Sequence, residues 1–273
     1  MQWSWSVNGA ATGVDPEDRG LAYGDGLFET MAAQDGGIRW LEQHLERLTA
    51  GCARLAISGL SVADLRRQLA RQTPPRGKAV IKLIVTRGTG ARGYRPPPES
   101  RPTVIIGSGP WPVQPAEHYT HGIEMVTCET RLGENPKLAG LKHLCRLEQV
   151  MAQIELRNRG VDEGVLLSTG DLVVSGTSNN VFAVYGSRVC TPRIERCGVR
   201  GVMRRLVLES CAALDLPYEE IDMDIEALRR ADEVFVTNAL LGVRPVRRLD
   251  GQVFAAGPVT RRIGARLGTA PRE

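Results

Sequence analysis

The chain has 273 residues, of which 42% are hydrophobic and 24% charged, enough to bury a core of ordinary size in one large or two modest domains. Its formal net charge is +4, and its arginines are scattered without a dense basic block, so we expect no nucleic-acid partner. No apolar run approaches the roughly 20 residues of a membrane span, so we expect no membrane association.

The first hundred residues contain patterns of both strands and helices. GLFETMAAQ and GGIRW predict two short strands around a turn at Asp35–Gly37. LEQHLERLTAGCARLAI has leucines at helical spacing, and SVADLRRQLARQ begins with a serine that can cap a second helix. AVIKLIVTR and PTVIIGS are strand candidates. We therefore predict a small α+β domain over residues 1–108 and a proline-rich linker over residues 109–116.

Residues 117–273 are predicted to form a larger α/β domain. Its strand candidates are GIEMVTCET, EGVLLST, DLVVSGTSNNVFAVYG and EVFVTNALLG, and its helix candidates include GVRGVMRRLVLESCAALDL, DIEALRRA and VTRRIGARLG. The leucine spacing in LAGLKHLCRLEQVMAQIELRNRG predicts one long helix closed by Gly160. On that helix, Lys142 would lie on the face shared by Leu138 and Cys145.

A glycine loop follows the strand AVIKLIVTR. Gly88, Gly90 and Gly93 spell G-x-G-x-x-G, which in a dinucleotide site is followed by a helix whose N-terminal amides bind the pyrophosphate. Here Pro96–Pro98 follow, and consecutive prolines exclude a helix start. The dinucleotide interpretation is therefore rejected, and the loop's two arginines need another explanation. Arginine suits carboxylate and phosphate because its planar fork can bind both oxygens.

Two other features are candidates for chemistry. Lys142 is either a lysine that buries its stem and keeps its ammonium in water, or a desolvated amine able to attack a carbonyl. Gly198 and Gly201 open a predicted helix whose free amides, with Arg204 and Arg205 close behind, suit a phosphate. Glycines also commonly mark a helix boundary without binding anything. The spacing alone therefore leaves open both the state of the Lys142 amine and the role of this helix start.

The cysteines indicate the compartment. The six cysteines include no C-x-x-C pair, and only four histidines are present, so we predict no metal site. The N-terminus shows no basic segment followed by an apolar stretch, as a secretory leader would. Free thiols in the cytoplasm are the simplest interpretation.

Six blocks follow one another along the chain: YGDGLFET, HLERL, RGTGARGY, LAGLKHLCRLEQV, GVRGVMR and TNALLGVRPV. Together they resemble the fold-type IV pyridoxal-phosphate enzymes, and among these they look most like the aminodeoxychorismate lyases. The resemblance spans nearly the whole chain and implies a two-domain homodimer that uses pyridoxal 5'-phosphate. It also implies a lyase that converts 4-amino-4-deoxychorismate into 4-aminobenzoate and pyruvate, a step of folate biosynthesis.

The same resemblance implies roles for individual residues. Lys142 would be the Schiff-base lysine and the catalytic base. The groups expected to contact the cofactor phosphate are the Arg47 side chain, the backbone amides of Val202 and Met203, and Asn238 with Ala239. The glycine loop would lie on the substrate side, with Arg87 or Arg92 facing a substrate carboxylate and Tyr94 shaping the pocket. The sequence leaves open which arginine makes that contact.

The sequence departs from this family in the block VVSGTSNNVF. Ser175 occupies the position where many members carry a glutamate that faces the pyridine nitrogen. A carboxylate keeps that nitrogen protonated and the ring strongly electron-withdrawing, whereas a hydroxyl only forms a hydrogen bond and leaves a weaker electron sink. Ser175 therefore favours elimination over transamination. Cys145 and Ala91 also replace an asparagine and a glycine that are usual at their positions.

Two alternatives follow from the same residues. The first is an aminotransferase of the same fold that acts on D-amino or branched-chain amino acids and requires a keto-acid acceptor. The second is a protein that binds the cofactor without catalysis, to which Ser175 and Cys145 would point. The presence of Lys142, Arg47 and the glycine-bounded helix argues against the second.

Overall fold

A computed structural model describes residues 2–269 and divides the chain into two compact units. The first unit contains the chain up to Val113 together with Leu141–Cys145, and the second contains Gln114–Gly140 and the chain from Arg146 onward. The sequence-based division placed residues 141–145 in the second domain. The structure places them in the first unit because their backbone pairs with one of its strands.

The first unit is built on a five-stranded antiparallel sheet with the order β1-β5-β4-β2-β3. Its elements are β1 (Ser4–Val7), α1 (Arg19–Tyr23), β2 (Gly26–Gln34), β3 (Gly37–Ile38), α2 (Leu41–Arg54), α3 (Val62–Gln72), β4 (Lys78–Thr86) and β5 (Thr103–Pro110). The predicted serine cap is confirmed, since Ser61 Oγ accepts from the Asp64 amide at 3.2 Å. β5 ends at Pro110, so the predicted linker begins within a strand.

One face of this sheet forms the core with α2 and α3. Alternate residues of β4, including Ile81 and Leu83, are fully buried against helix residues such as Leu48 and Leu69. The other residues of β4 point to the opposite face, because successive side chains of a strand alternate. On that opposite face α1 lies at the end of β4, where a Cβ atom on Gly20 would come within 2.2 Å of the Thr86 side chain.

The second unit is built on a nine-stranded mixed sheet with the order β11-β10-β9-β12-β13-β6-β7-β8, and β14 pairs with β13. Its elements are α4 (Glu117–Thr120), β6 (Ile123–Leu132), α5 (Leu147–Arg159), β7 (Glu163–Ser168), β8 (Val173–Gly176), β9 (Asn180–Tyr185), β10 (Arg188–Pro192), α6 (Val202–Ala213), β11 (Tyr218–Ile221), α7 (Ile225–Arg229), β12 (Glu233–Asn238), β13 (Gly242–Leu249), β14 (Gln252–Val253) and α8 (Pro258–Arg266). Three strand pairs, β10/β11, β6/β13 and β6/β7, are parallel.

The strands β7, β8, β9 and β12 are buried on both faces, and this explains their nearly continuous apolar sequences. One apolar cluster includes Val181 and Val236, and a second, which α6 and α8 cover, includes Phe182 and Phe235. The two phenylalanine rings stack with their centroids 4.8 Å apart. Within residues 2–269, no helix is long and apolar enough to cross a bilayer.

Candidate functional site

Lys142 lies in an extended segment, and the long helix predicted through it is wrong. α5 begins only at Leu147. The Phe28 amide donates to the Lys142 carbonyl, and the Leu144 amide donates to the Gly26 carbonyl, both at 3.0 Å. These bonds to β2 replace helical bonds, and Gly140, at φ +83°, turns the chain out of any helix before them. Lys142 therefore shares no helical face with Leu138 and Cys145.

The extended segment places the Lys142 side chain over an aromatic ring. Lys142 Nζ lies 4.2 Å from the centroid of the Phe28 ring, and the residue is half-buried. Its neighbour Leu141 is buried in the core of the first unit and fixes the segment there. The amine is thus held in a partly desolvated position on a backbone anchored to a strand.

Arg47 belongs to an ion-pair cluster with Glu29 and His44. Arg47 Nε donates to Glu29 Oε1 at 2.8 Å, Arg47 Nη2 also contacts this carboxylate, and His44 Nδ1 lies 2.6 Å from Glu29 Oε2. Burial raises the pKa of Glu29, but the Arg47 charge and the hydrogen bonds of both partners outweigh it and lower the pKa to about 2. Sequence reasoning missed Glu29 and His44, although both lie in quoted blocks.

The Arg87 guanidinium forms hydrogen bonds within the first unit. It is buried, and its Nε and Nη2 bind Asp25 at 2.7 and 2.9 Å. Its Nη1 and Nη2 also donate to the carbonyls of Ala56 and Leu55, both at 2.8 Å. Burial raises the pKa of Asp25, but the Arg87 and Arg19 guanidiniums together hold it below its usual value. Arg92, by contrast, is exposed.

The glycine loop is anchored through its backbone. Arg19 donates from Nη1 to the Gly93 carbonyl at 2.9 Å and from Nη2 to the Tyr94 carbonyl at 3.0 Å, while its Nε binds Asp25. The Gly93 amide donates to the Tyr23 hydroxyl at 2.9 Å. As predicted, no helix follows the loop. The Tyr94 side chain is 86% exposed, so this chain alone does not enclose it.

Arg19 and Tyr23 are the residues of this region that sequence reasoning missed. Arg19 is buried at the start of α1, and Asp18 caps that helix by accepting from the Gly20 amide at 2.7 Å. The available signal was the block YGDGLFET, which contains Tyr23 and runs into the strand β2, whereas Arg19 lies outside it. We call Arg19, Asp25 and Arg87 the loop anchor.

In the second unit, Val202 and Met203 form the first turn of α6. Gly201 is the N-cap residue, and among the described residues no side chain caps this helix. A Cβ atom on Gly201 would lie 2.1 Å from Asn180 Oδ1, so a side chain here would displace the Asn180 amide. The first amides of an α-helix have no partner within the helix and carry the positive end of its dipole. The Val202 and Met203 amides therefore lie at a helix start that no described side chain caps.

Arg204 and Arg205, expected near this helix start, are paired elsewhere. Arg204 is buried and donates to the Pro192 carbonyl at 3.0 Å and to Glu220 at 2.6 Å. Arg205 Nε donates to Glu209 one turn along the helix at 2.9 Å. Each of the two guanidiniums is bound to a glutamate, so the groups that remain at the helix start are its backbone amides.

Asn238 and Ala239 lie at the end of β12, next to β9. Asn238 Oδ1 accepts from the amides of Leu240 and Leu241 at 3.0 and 2.8 Å, and this fixes the turn around Ala239. Thr237 pairs with Asn180 across the two strands. Its buried Oγ1 atom has no hydrogen-bond partner among the described residues. Since buried hydroxyls are normally paired, this atom has hydrogen-bonding capacity that the described residues do not use.

Asn180 connects these two places, since it touches Gly201 and is paired with Thr237. We call Asn180, Gly201, Val202, Met203, Thr237 and Asn238 the amide cluster. It offers hydroxyl, side-chain amide and backbone N–H groups and contains no carboxylate, so its donors fit a phosphate. Sequence reasoning missed Thr237 and Asn180, which are uncharged and sit within strand-like sequence.

Ser175 is buried in β8, where its Oγ donates to the Gly176 carbonyl at 2.8 Å. The turn after it is organised by Glu163, a buried carboxylate that accepts from the Thr177 amide at 3.0 Å and contacts Asn179 Nδ2. Asn179 Oδ1 in turn accepts from Asn238 Nδ2 at 2.7 Å. Glu163 therefore supports the amide cluster, although EGVLLST gave no sign of this beyond an acid at the start of a buried strand.

Comparison with known proteins identifies relatives over most of the chain. The family described as amino-transferase class IV matches residues 26–249. The aminodeoxychorismate lyase of Vibrio harveyi is 35% identical over 96% of this chain and 99% of its own length. The D-alanine aminotransferase of Bacillus licheniformis is 30% identical over 93% of this chain and 90% of its own length.

A solved structure is also similar. The crystal structure of 4-amino-4-deoxychorismate lyase from Pseudomonas aeruginosa shares 45% identity, with a TM-score of 0.93, over 97% of this chain and 98% of that one. The predicted fold class is confirmed by these comparisons: the chain has the two-domain α/β fold of the fold-type IV enzymes.

Proposed function

The chain belongs to the class IV aminotransferase family, and we propose that it is a pyridoxal-phosphate-dependent lyase that converts 4-amino-4-deoxychorismate into 4-aminobenzoate and pyruvate. The observation that carries this proposal is the near full-length similarity to two lyases of that name, at 35% and 45% identity. We also propose that the enzyme acts in the cytoplasm, within folate biosynthesis.

The amide cluster and Lys142 would bind the cofactor. The Val202 and Met203 amides and the turn at Asn238 and Ala239 would hold its phosphate, and the unpartnered Thr237 hydroxyl supports this assignment. Arg47 is proposed as a further phosphate contact. Because Glu29 already neutralises its charge, Arg47 would act mainly through hydrogen bonds of its planar guanidinium. Lys142 would form the covalent link through its amine.

When bound, the cofactor supplies an electron-withdrawing ring that acidifies the substrate carbon bearing the amine. The Lys142 amine would remove the proton from that carbon and deliver a proton to the methylene carbon of the departing pyruvate. The Ser175 hydroxyl donates its proton to the Gly176 carbonyl in the structure, and it would have to turn that proton toward a neutral ring nitrogen to form the weak hydrogen bond expected of it. A weak electron sink suffices because the product becomes aromatic.

The substrate has carboxylates that need cationic partners. We propose Arg92 and Tyr94 of the glycine loop as substrate contacts and assign Arg87 to the loop anchor. The exposure of Arg92 and Tyr94 allows them to reach a ligand. Replacing Arg92 by alanine tests this assignment, since it should raise KM for the substrate with little change in the folded protein.

The proposed homodimer is supported by an apolar stripe on α5. Leu147, Val150, Met151 and Ile154 are 78%, 51%, 54% and 38% exposed, and their spacing places them on one side of the helix. A contiguous apolar face of this kind is typical of a protein interface. Light scattering should give the mass of a dimer, and a Met151→Glu variant should shift the protein toward monomer.

The proposed reaction is tested with the purified protein loaded with pyridoxal phosphate, 4-amino-4-deoxychorismate and no keto acid. Formation of 4-aminobenzoate and pyruvate in equal amounts is the expected result. A protein that binds the cofactor, forms no 4-aminobenzoate and transfers amino groups from D-alanine to a keto acid would be an aminotransferase. That alternative has the support of the 30% identity to a D-alanine aminotransferase.

A further inference from the structure

The glycine loop is folded around one buried side chain, that of Arg19, which is only 3% exposed. Where the loop begins, the Arg19 amide donates to the Gly88 carbonyl at 2.9 Å. In the middle of the loop, a Cβ atom on Gly90 would lie 3.0 Å from Arg19 Cδ, so the loop backbone rests on the arginine stem. At the far end, the guanidinium donates to the Gly93 and Tyr94 carbonyls. Arg19 therefore contacts the start, the middle and the end of the loop.

The Arg19 guanidinium is held at all three of its nitrogens. Nη1 and Nη2 bind the two consecutive loop carbonyls, and Nε donates to Asp25 at 2.9 Å. Asp25 lies directly before β2 and is itself bound by Arg87. Because the guanidinium is planar and rigid, these bonds fix the loop carbonyls relative to Asp25. A lysine ammonium at this position could not reproduce the geometry, since it has only one nitrogen.

Tyr23 provides a second contact to the same part of the loop. Its hydroxyl accepts from the Gly93 amide at 2.9 Å, and its ring centroid lies 4.9 Å from Arg19 Cζ. The Gly93 amide belongs to the peptide unit that joins Gly93 to Arg92, and the Gly93 carbonyl belongs to the next unit. Tyr23 and Arg19 thus fix the two peptide units that follow the Cα atom of Arg92. The Arg92 side chain is exposed, so these backbone contacts set the direction in which it leaves the loop.

We propose that Arg19 is a positioning residue: it holds the glycine loop in the conformation in which Arg92 faces a carboxylate of the substrate. The inference rests on the proposed function and adds to it a residue that does not touch the substrate. Without the Arg19 guanidinium, the loop has to be ordered each time a substrate binds, and this entropic cost weakens binding. The groups that carry out the reaction stay in place, so KM rises while kcat does not fall.

The test is a kinetic comparison of four cofactor-loaded proteins: the wild type, Arg19→Met, Arg92→Ala and the double variant. Methionine keeps an apolar stem and removes the guanidinium. We expect Arg19→Met to raise KM about tenfold, the size of one lost hydrogen bond, with kcat within about twofold of the wild-type value. In the double variant, the loss of Arg19 should raise KM by less than about twofold beyond Arg92→Ala, because the group that Arg19 positions is already absent.

An Arg19→Lys variant separates position from charge. Its ammonium can keep the ion pair with Asp25 but cannot bind two carbonyls at the same time, so KM should rise nearly as much as in Arg19→Met. The variant retains the buried charge beside Asp25, so it also serves as the test protein if Arg19→Met does not fold.

Arg66→Met is the matched control. Arg66 lies in the same unit, and its guanidinium also binds a carboxylate, that of Glu42, at 2.6 and 2.5 Å. Arg66 has no hydrogen bond to the glycine loop among the described contacts, so its loss should leave KM and kcat unchanged.

Limited proteolysis of the same proteins reports the loop conformation without any substrate. Trypsin cleaves after arginine, and Arg92 is the exposed arginine of the loop that no proline follows. Cleavage after Arg92, mapped by mass spectrometry, should be about tenfold faster in Arg19→Met, because the open form of the loop is more populated. The rate in Arg66→Met should equal that of the wild type.

Three kinetic results would overturn the proposal: an unchanged KM in Arg19→Met, a wild-type KM in Arg19→Lys, or a rise in KM by the same factor with and without Arg92. If the wild type makes 4-aminobenzoate and one of these results is found, this inference alone fails. If the wild type makes none, the proposed function itself fails. The proteolysis then still decides whether Arg19 holds the loop, since equal cleavage rates in Arg19→Met and the wild type would show that it does not.

Discussion

The polar networks of the two units differ in kind. The first unit uses charged side chains: the Glu29 cluster and the loop anchor are networks of buried and half-buried carboxylates and guanidiniums. The second unit's amide cluster uses backbone N–H groups, a hydroxyl and two asparagines, without a formal charge of its own. The stability that a charge network contributes changes with pH and falls when one partner is removed. The amide cluster instead relies on close approach of the backbone and on neutral hydrogen bonds.

The largest effect is expected at Lys142. Replacing it by alanine should lower turnover by at least about a hundred- to ten-thousandfold, because the residue that moves the proton is lost. Folding should be little affected, since the residue is only half-buried. Steady-state kinetics and circular dichroism measure the two quantities. Near wild-type turnover by the variant would rule out the proposed scheme, and Lys78→Ala serves as the control.

The loop anchor gives the next effect. Arg87→Ala removes four hydrogen bonds and leaves Asp25 with Arg19 alone, so it should lower the free energy of unfolding by about 3 kcal/mol. Arg92→Ala, on the exposed part of the same loop, should change it by less than about 0.5 kcal/mol. Urea unfolding compares the two variants. Equal changes in the free energy of unfolding would mean that the buried contacts of Arg87 do not stabilise the fold.

The Glu29 cluster predicts a pH dependence. The pKa of Glu29 is about 2 in the folded protein against 4.5 for a free glutamate, so its ion pairs stabilise the fold fully above about pH 5. About 3 kcal/mol should be lost as the pH falls through the folded-state value. The free energy of unfolding measured against pH should fall less steeply for Glu29→Gln. An identical slope would mean that Glu29 is not the group responsible.

A substitution in the amide cluster is expected to have two smaller effects: it should raise the stability of the cofactor-free protein and weaken cofactor binding. Thr237→Val removes a buried hydroxyl that has no partner within residues 2–269, so the cofactor-free protein should gain about 1 kcal/mol of stability. The same change should weaken pyridoxal-phosphate binding about tenfold, because the ligand loses one hydrogen bond. Thermal unfolding without cofactor and cofactor titration give the two values. A destabilised cofactor-free variant would show that Thr237 is paired within the protein.

Local signals were sufficient for much of the fold. The helix after Ser61 was predicted because its cap and its leucine spacing lie within one short segment. The absence of a helix after the glycine loop was predicted correctly, because Pro96–Pro98 restrict the backbone of the segment in which they lie. The start of α6 was predicted from Gly201, which is the N-cap residue of that helix and lies against Asn180.

The errors came from distant partners. The leucines around Lys142 fit a helix, yet the backbone there bonds to Gly26 and Phe28, more than a hundred residues earlier. Arg87 and Arg92 look alike in sequence, and only the Asp25 pair, 62 residues from Arg87, separates them. The unpartnered state of Thr237 Oγ1 is equally a property of the folded surroundings. These hydrogen-bonding arrangements arise from tertiary packing, and the spacing of residues along the sequence does not reveal them.

The central claim, that Lys142 carries the cofactor, is tested most directly by chemical trapping. The protein loaded with pyridoxal phosphate is reduced with borohydride, digested, and mapped by mass spectrometry. The account predicts a pyridoxyl group on Lys142 and none on Lys82, although both amines lie over the Phe28 ring. A label on Lys82, or a cofactor that leaves no reducible link to Lys142, would contradict it.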